Sequence, residues 1–152
     1  MTESPDATLR LSDFLPYQLS VASNAVSNRI AEVYRSEFGL KIPEWRVMAV
    51  LGDAGALTQR ELTAATLMDK VAVNRACKTL EDRALVVREP NEQDGRSHHL
   101  ALTADGRTMH DRIMPRARAM ERDLFAALSE AERETFGTLL AKVRERADEP
   151  GS

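Results

Sequence analysis

Side chains suited to nucleic-acid recognition recur within one short segment, as Lys70, Asn74, Arg75 and Lys78. An asparagine amide can pair bidentately with adenine in the major groove, and an arginine can pair with guanine or with phosphate. Lysine ammonium groups suit phosphate oxygens. No acidic residue interrupts the chain between Lys70 and Lys78. The charge pattern alone fits a contact with a DNA groove and a merely solvated helix face equally well. The helices and the hairpin predicted around it favour the groove contact.

A second candidate contact is Arg96, which lies in a polar, charged turn. Asp94, two residues earlier, can hold its guanidinium through paired charge-assisted hydrogen bonds and so fix its direction. A narrow minor groove attracts an arginine electrostatically. An ordinary surface ion pair, which contributes little to stability, is the alternative. Gly95 suits a tight turn, and Ser97 and His98 are candidates for phosphate contact.

Two short helices are predicted to position the first of these groups. The segment Thr58–Glu61 has the S/T-x-x-E form of a capping box, which predicts a helix to about Thr66. Asp69 is a strong N-cap residue, and it predicts a second helix as far as about Arg83. Two helices joined by a tight turn are an arrangement with which small proteins enter a DNA groove.

The predicted second helix has one apolar face, on which Val73, Cys77 and Leu80 recur at i, i+4 and i+7. On the helix before it, Leu62 and Ala65 are expected to face inward. Cys77 is therefore interpreted as a small buried hydrophobic residue. A redox switch would need an exposed thiol of lowered pKa. The spacing of the three histidines predicts no metal site.

A hairpin and a long helix are predicted next. The strands Val86–Glu89 and His98–Leu102 flank the polar turn Pro90–Ser97. Thr103 is then expected to cap a helix that reaches about Leu128. This hairpin would carry the charged turn at its tip, beside the two short helices.

The N-terminal region predicts a first helix of about Phe14–Phe38, with Ser12 as its N-cap and Gly39 just past its end. A second helix is predicted to begin near Pro43, where a missing N–H costs little, and to end before Gly52.

The C-terminal region contains a capping box that begins at Ser129 and predicts a last helix to about Ala147. Pro115 is expected to kink the long helix before it. Residues 9–38 and 104–147 present more apolar helical surface than the short centre can cover. Such stripes are usually buried against each other or against a second subunit. We therefore expect a homodimer held by both ends, with a monomeric three-helix bundle as the alternative.

The composition is that of one ordinary globular domain, with 152 residues of which 43% are hydrophobic. The net charge of −3 argues against indiscriminate binding of polyanions. Between Thr58 and Arg107 eight basic residues balance eight acidic ones. We therefore expect a local basic face on a neutral module.

Motifs for catalysis or for membrane insertion are not found in the sequence. It contains no Gly-rich phosphate loop, nucleophile elbow or zinc-helix motif, so we expect neither an enzyme nor a cofactor. The acidic start has no apolar signal segment, and the longest apolar run, Val47–Leu51, is too short to span a bilayer. The expected location is the cytoplasm, without a membrane partner.

From about Leu11 to Arg146, the chain resembles the multiple antibiotic resistance regulator (MarR) family of winged helix-turn-helix repressors. The most specific likeness is Asp94-Gly95-Arg96, followed by Leu100-Ala101-Leu102-Thr103 and Gly106. The segments Leu80–Val86 and Ile42–Val47 also resemble that family. Ala84 stands where the family usually has glycine; at a positive φ it would be strained by about 1 kcal/mol.

The resemblance implies a mainly α fold with a small β-hairpin wing. It implies a DNA-binding lobe of residues 40–103 and a helical dimerisation region of residues 9–39 and 104–147, in one continuous structural unit. Its partner would be double-stranded DNA with a pseudo-palindromic operator, bound by a homodimeric repressor that a small aromatic or anionic molecule releases. The expected DNA-binding residues are Thr58, Gln59, Lys70, Val71, Ala72, Asn74, Arg75, Lys78, Asp94, Gly95, Arg96, Ser97 and His98.

A site for such an effector is placed at the start of the second helix. Trp45 would form a wall of the site and Arg46 would pair with an anionic group, with Tyr17, Asn24 and Met109 as neighbours. The alternative makes Trp45 a core anchor and Arg46 part of an ion pair. Two other functions stay open: a helical protein–protein adaptor without DNA, and a thiol- or metal-sensing regulator.

Overall fold

The computed structural model describes residues 9–91 and 94–151, and of residues 91 and 94–97 it describes only the backbone. After a 3₁₀ turn at Leu11–Asp13, the elements are α1 (Leu15–Phe38), α2 (Ile42–Ala54), β1 (Leu57–Thr58), α3 (Gln59–Thr66), α4 (Lys70–Asp82), β2 (Val86–Asn91), β3 (Asp94–Leu102), α5 (Ala104–Leu124) and α6 (Glu130–Asp148). The expected fold class, mainly helical with a small wing, is confirmed. Two compact units divide in sequence between Met114 and Pro115. The division into a DNA-binding lobe and a dimerisation region is a functional one and stays a prediction.

The ends of α1 and α2 follow from local backbone chemistry. Gly39 ends α1 as predicted: it adopts φ +64°, and its N–H reaches the carbonyl of Arg35. Ser12 is not the N-cap, since it lies in the 3₁₀ turn and Phe14 precedes the helix without a side-chain cap. α2 also runs further than predicted, through Gly52 to Ala54.

Gly52 lies inside α2 because a neighbouring side chain occupies the space that a Cβ would need. A Cβ at this position would come within 2.3 Å of Nε2 of His110. Glycine is therefore required here for close packing of α2 against α5, and not as a helix terminator. Tertiary contact explains why the predicted end of α2 was wrong.

The sheet has three antiparallel strands in the order β1-β3-β2. Leu57 of β1 pairs with Leu100 of β3, and Val86 of β2 pairs with Leu102. The sequence predicted only the two-stranded hairpin, and the two-residue β1 was missed. The predicted turn over residues 90–97 was too long, since Asn91 is paired with Asp94 and both belong to strands.

The core of the first unit is formed by apolar side chains of α1, α2, α3, α4, β3 and α5. Val73, Cys77 and Leu80 are buried as predicted. Ala65 was expected to face inward but is exposed, and Thr66 is buried in its place. The Thr66 hydroxyl donates to the carbonyl of Leu62 at 2.7 Å, which removes the cost of burying it.

The connection from β3 to α5 is fixed by Thr103, as its N-cap role predicts. The Thr103 hydroxyl accepts the N–H of Gly106 at 3.0 Å and donates to the carbonyl of Ala84 at 2.6 Å. Ala84 has φ +58°, so the strain expected at this position is present. These bonds hold the start of α5 against the turn that follows α4.

The second unit contains the end of α5 and all of α6. α5 ends at Leu124, four residues before the predicted Leu128. Beyond this end, the ring centroid of Phe125 lies 6.0 Å from that of Phe136 on α6. Ser129 forms the predicted capping box with Glu132. In the part of the chain that the structure covers, no helix is long and apolar enough to cross a membrane.

Candidate nucleic-acid interface

α4 presents one polar face, because its opposite face is held in the core. Lys70, Asn74, Arg75 and Lys78 are all exposed, as the sequence predicts. The carboxylate of Asp69 accepts the N–H of Ala72 at 2.8 Å and satisfies the first turn of the helix. The structure thus brings the four predicted groups onto the exposed side of one anchored helix.

Thr58 and Gln59 lie at the start of α3, and both are already engaged within the protein. The Thr58 hydroxyl accepts the N–H of Glu61 at 3.1 Å, and the Thr58 N–H donates to the Glu61 carboxylate at 3.0 Å. Hydrogen bonding to the Glu61 carboxylate by the Thr58 backbone first, and then by the Thr58 side chain, lowers the pKa of Glu61. Thr58 is therefore a structural cap of α3.

Arg88 of β2 was not predicted, yet it links three elements at the base of the wing. Its Nε and Nη2 donate to the two carboxylate oxygens of Glu81 on α4, at 3.0 and 3.3 Å. Nη2 also donates to Oε1 of Gln59 on α3, at 3.3 Å. The hydrogen bond to Glu81 raises the pKa of Arg88. No local spacing marks this group, because its three members are brought together only by the sheet.

Two further groups near α4 were missed by sequence reasoning. Leu67, in the turn between α3 and α4, is 68% exposed and has φ +57°. Arg83 donates to the carbonyls of Gly39 at 2.9 Å and Phe38 at 3.3 Å, and so ties the end of α4 to the end of α1. Cationic side chains near helix C-termini are a general means of satisfying free carbonyls.

The wing is described mainly through its backbone. His98 is exposed and lies opposite Pro90. Gly95 lies in β3, so its expected place in a tight turn was wrong. The side chains of Asp94, Arg96 and Ser97 lie outside the described part of the structure, and the expected Asp94–Arg96 pair stays a prediction.

Comparison with known proteins places this arrangement among transcriptional regulators. The sequence profile of the MarR family matches residues 38–97, which run from the end of α1 into the wing. A MarR/EmrR family transcriptional regulator from Acinetobacter sp. ADP1 has 25% identity and a TM-score of 0.83, over 92% of this chain and 99% of that one. The family match therefore rests on residues 38–97, and the Acinetobacter structure extends the likeness of fold to most of the chain.

Other solved structures are similar to this chain over most of its length. A probable transcriptional regulator from Pseudomonas aeruginosa has 29% identity and a TM-score of 0.78, over 88% of this chain and 99% of that one. BpsR of Bordetella bronchiseptica, whose DNA binding is regulated by 6-hydroxynicotinic acid, has 24% identity and a TM-score of 0.84. The likeness covers 94% of this chain and 99% of BpsR. Among curated protein sequences, none matches the chain significantly. The match to the MarR family and these structures support a role as a DNA-binding transcriptional regulator.

Cys77 is buried, and burial raises the pKa of its thiol to about 11. The reactive thiolate is therefore scarce near neutral pH, in contrast to the lowered pKa of a sensing cysteine. Within residues 9–91 and 98–151, no group of three or more His, Cys, Asp or Glu side chains is arranged to hold a metal ion. The geometry gives no support to the thiol- or metal-sensing alternative.

The residues proposed for an effector lie outside the cleft that the structure shows between α1 and α2. Trp45 is half-buried, and its ring centroid lies 5.6 Å from that of Tyr34 and 5.8 Å from that of His110. Arg46, Tyr17 and Asn24 are exposed, and Met109 is half-buried. An open cleft of about 450 Å³ lies between α1 and α2 and contains none of the five. It is lined by Asn28, Ala31, Glu32, Arg35, Leu40, Lys41 and Ile42.

Proposed function

We propose that this chain is a homodimeric repressor of the MarR family, which binds a pseudo-palindromic operator and is released by a small ligand. The observation that carries the proposal is the exposed polar face of α4, held beside the wing by Arg88. In this proposal α4 enters the major groove, with Thr58 and Gln59 lying close to phosphates beside it. Arg96, with Asp94 and Ser97 near it, reaches the adjacent minor groove.

A dimer is supported by the apolar side chains that each unit leaves exposed. In the first unit Leu15 is 73% exposed and Val21 is 49% exposed; in the second, Leu139 is 52% exposed. Long helices rarely present such stripes to water unless a second subunit covers them. Two symmetric copies would aim two α4 helices at half-sites about one helical turn, roughly 34 Å, apart.

Release by a ligand is supported by BpsR, whose DNA binding 6-hydroxynicotinic acid regulates. For this chain we propose an anionic aromatic ligand beside Trp45, with exposed Arg46 as its charge partner. Tyr17, Asn24 and Met109 are proposed as further contacts. The open cleft between α1 and α2 is the other place in which the same ligand could bind, because Arg35 and Lys41 line it.

Selection of duplexes from a random library by the full-length protein, followed by anisotropy titrations, tests the proposal. The expected result is an enriched sequence with two inverted half-sites, and an affinity that falls steeply as salt rises because counterions are released. Arg96→Ala should weaken binding to every enriched sequence alike. A panel of aromatic acids, with Arg46→Ala and Arg35→Ala as paired variants, should show which cation the ligand needs. Absence of salt-dependent duplex binding would favour the adaptor function instead.

A further inference from the structure

Val71 is an apolar side chain on the otherwise polar exposed face of α4, and it is 57% exposed. Its spacing to Asn74, Arg75 and Lys78 is i, i+3, i+4 and i+7, so the four side chains form one stripe along the helix. Single exposed valines are common on protein surfaces. This one, however, lies in the first turn of α4, the part of a recognition helix whose residues contact base edges.

We propose that Val71 determines specificity by packing its methyl groups against the 5-methyl group of a thymine in the operator. The inference rests on the proposed function. The thymine methyl is the apolar group that a base pair presents in the major groove, and it is absent from the other three bases. Contact with it would remove apolar surface of both partners from water.

The local structure holds the Val71 side chain in a fixed position before DNA binds. The cap by Asp69 fixes the first turn of α4, and the buried side chains of Val73 and Cys77 anchor the helix from its other side. A β-branched side chain in a helix has one strongly preferred χ1 rotamer. Binding would therefore cost Val71 little conformational entropy.

The position of the thymine relative to the Asn74 contact follows from helix geometry. Three residues along an α-helix correspond to a rise of about 4.5 Å, and one base-pair step corresponds to about 3.4 Å. The thymine should therefore lie within one or two base pairs of the base that Asn74 contacts. The same thymine should recur at the symmetric position of the second half-site.

Replacement of single thymines by deoxyuridine, which removes only the methyl group, tests the inference. The duplex is the sequence enriched by the full-length protein, and the readout is the dissociation constant of each substituted duplex. At one thymine per half-site the wild-type protein should lose about fourfold, the change that burial of one methyl group brings. For Val71→Ala the same replacement should cost less than twofold.

Val87→Ala is the matched control, because Val87 is also an exposed valine but lies on β2, away from the stripe of α4. It should keep the wild-type loss on deoxyuridine. Val71→Ala should fold normally, with an unchanged thermal midpoint, since the side chain is exposed and alanine favours helices.

Equal losses for the wild type and Val71→Ala would assign the methyl contact to another residue. No loss for the wild type at any thymine would mean that no methyl is contacted. Either result overturns the inference and leaves DNA binding in place. A selection that enriches no sequence would overturn the proposed function and the inference together.

Discussion

Asn74 is the residue of α4 whose chemistry separates base recognition from phosphate binding. Its amide can satisfy both the donor and the acceptor of an adenine edge, whereas Lys78, one turn later, offers only a positive charge. Both are exposed on the same helix face. Substitution of the two residues should therefore have different effects on DNA binding, both in the property that changes and in the size of the change.

Asn74→Ala should change the preferred base at one position of each half-site, with a loss of about 1–3 kcal/mol against the original base. Lys78→Ala should weaken all sequences alike and reduce the salt dependence. Repeated selections with the two variants make the comparison. A uniform loss for Asn74→Ala would show that Asn74 positions the helix and does not read a base.

Gly52 and His110 show how one close contact can decide a residue type. A Cβ at position 52 would lie 2.3 Å from Nε2 and 2.6 Å from Cδ2 of the buried His110 ring. Nδ1 of the same ring lies 3.1 Å from the carboxylate of Asp111, and the Trp45 ring lies beside it. The imidazole therefore has little freedom to move aside.

Gly52→Ala should lower the free energy of unfolding by about 1–3 kcal/mol, since extra volume in a packed core forces shifts. Gly137→Ala is the control, because nothing lies within 4 Å of a Cβ at that α6 position. That substitution should stabilise the protein by about 0.5–1 kcal/mol. Urea denaturation followed by circular dichroism measures both, and an unchanged Gly52→Ala midpoint would contradict the close packing.

Among the elements, the wing is joined through Arg88 to the two helices before it. We expect this link to set the direction of the wing. Arg88 is on β2, Glu81 on α4 and Gln59 on α3. The ion pair is partly exposed, with 37% and 27% of the two side chains accessible. Such a pair contributes little to global stability, so we expect it to act mainly on geometry.

Arg88→Ala should weaken operator binding several-fold while the thermal midpoint changes little. Glu81→Gln is the informative companion, because it leaves the Arg88 cation in place and removes its bidentate partner. If Arg88 acts by positioning the wing, both variants should weaken binding. Loss in Arg88→Ala alone would mean that Arg88 contacts phosphate itself.

The elements also differ in how well the sequence predicts their ends. Capping boxes at Thr58 and Ser129, and the cap at Asp69, were predicted correctly because they depend on residues within one turn. The end of α2 was predicted wrongly, because Gly52 is required by its contact with the His110 ring on α5. The strand β1 was missed, because it forms only by pairing with β3.

At the scale of the whole molecule, the apolar side chains of α1 and α6 are the feature that bears on association of two copies. Each compact unit leaves a set of them exposed. On α6 the set comprises Phe136, Leu139, Leu140 and Val143. Their spacing places them on one side of the helix, and Thr138 lies on the opposite side. A twofold assembly would cover the first side and leave the second in water.

Leu139→Glu should therefore shift the protein towards monomers and weaken operator binding at least tenfold, since a buried unpaired carboxylate opposes association. Thr138→Glu should change neither property. Sedimentation velocity over a range of concentrations measures the first effect, and anisotropy titration measures the second. A dimer of undiminished strength in Leu139→Glu would place the interface elsewhere.

The sequence by itself determined the helix order, the buried face of α4 and the polar face opposite it. It also determined the caps at Thr58, Asp69, Thr103 and Ser129, but not the start of α1. These follow from spacing within one helix, because side chains one turn apart share a side. The strain at Ala84 was also predictable, because the family usually has glycine at this position. The structure has φ +58° there.

Only the tertiary structure decided the position of the wing base, the length of α2 and the surroundings of Trp45. Arg88, Glu81 and Gln59 lie on three elements, and Trp45 lies beside Tyr34 and His110 from two others. Contacts of this kind join residues far apart in sequence, so no local period or motif encodes them. Their energy depends on the geometry of the assembled sheet and helices, which exists only once the chain has folded.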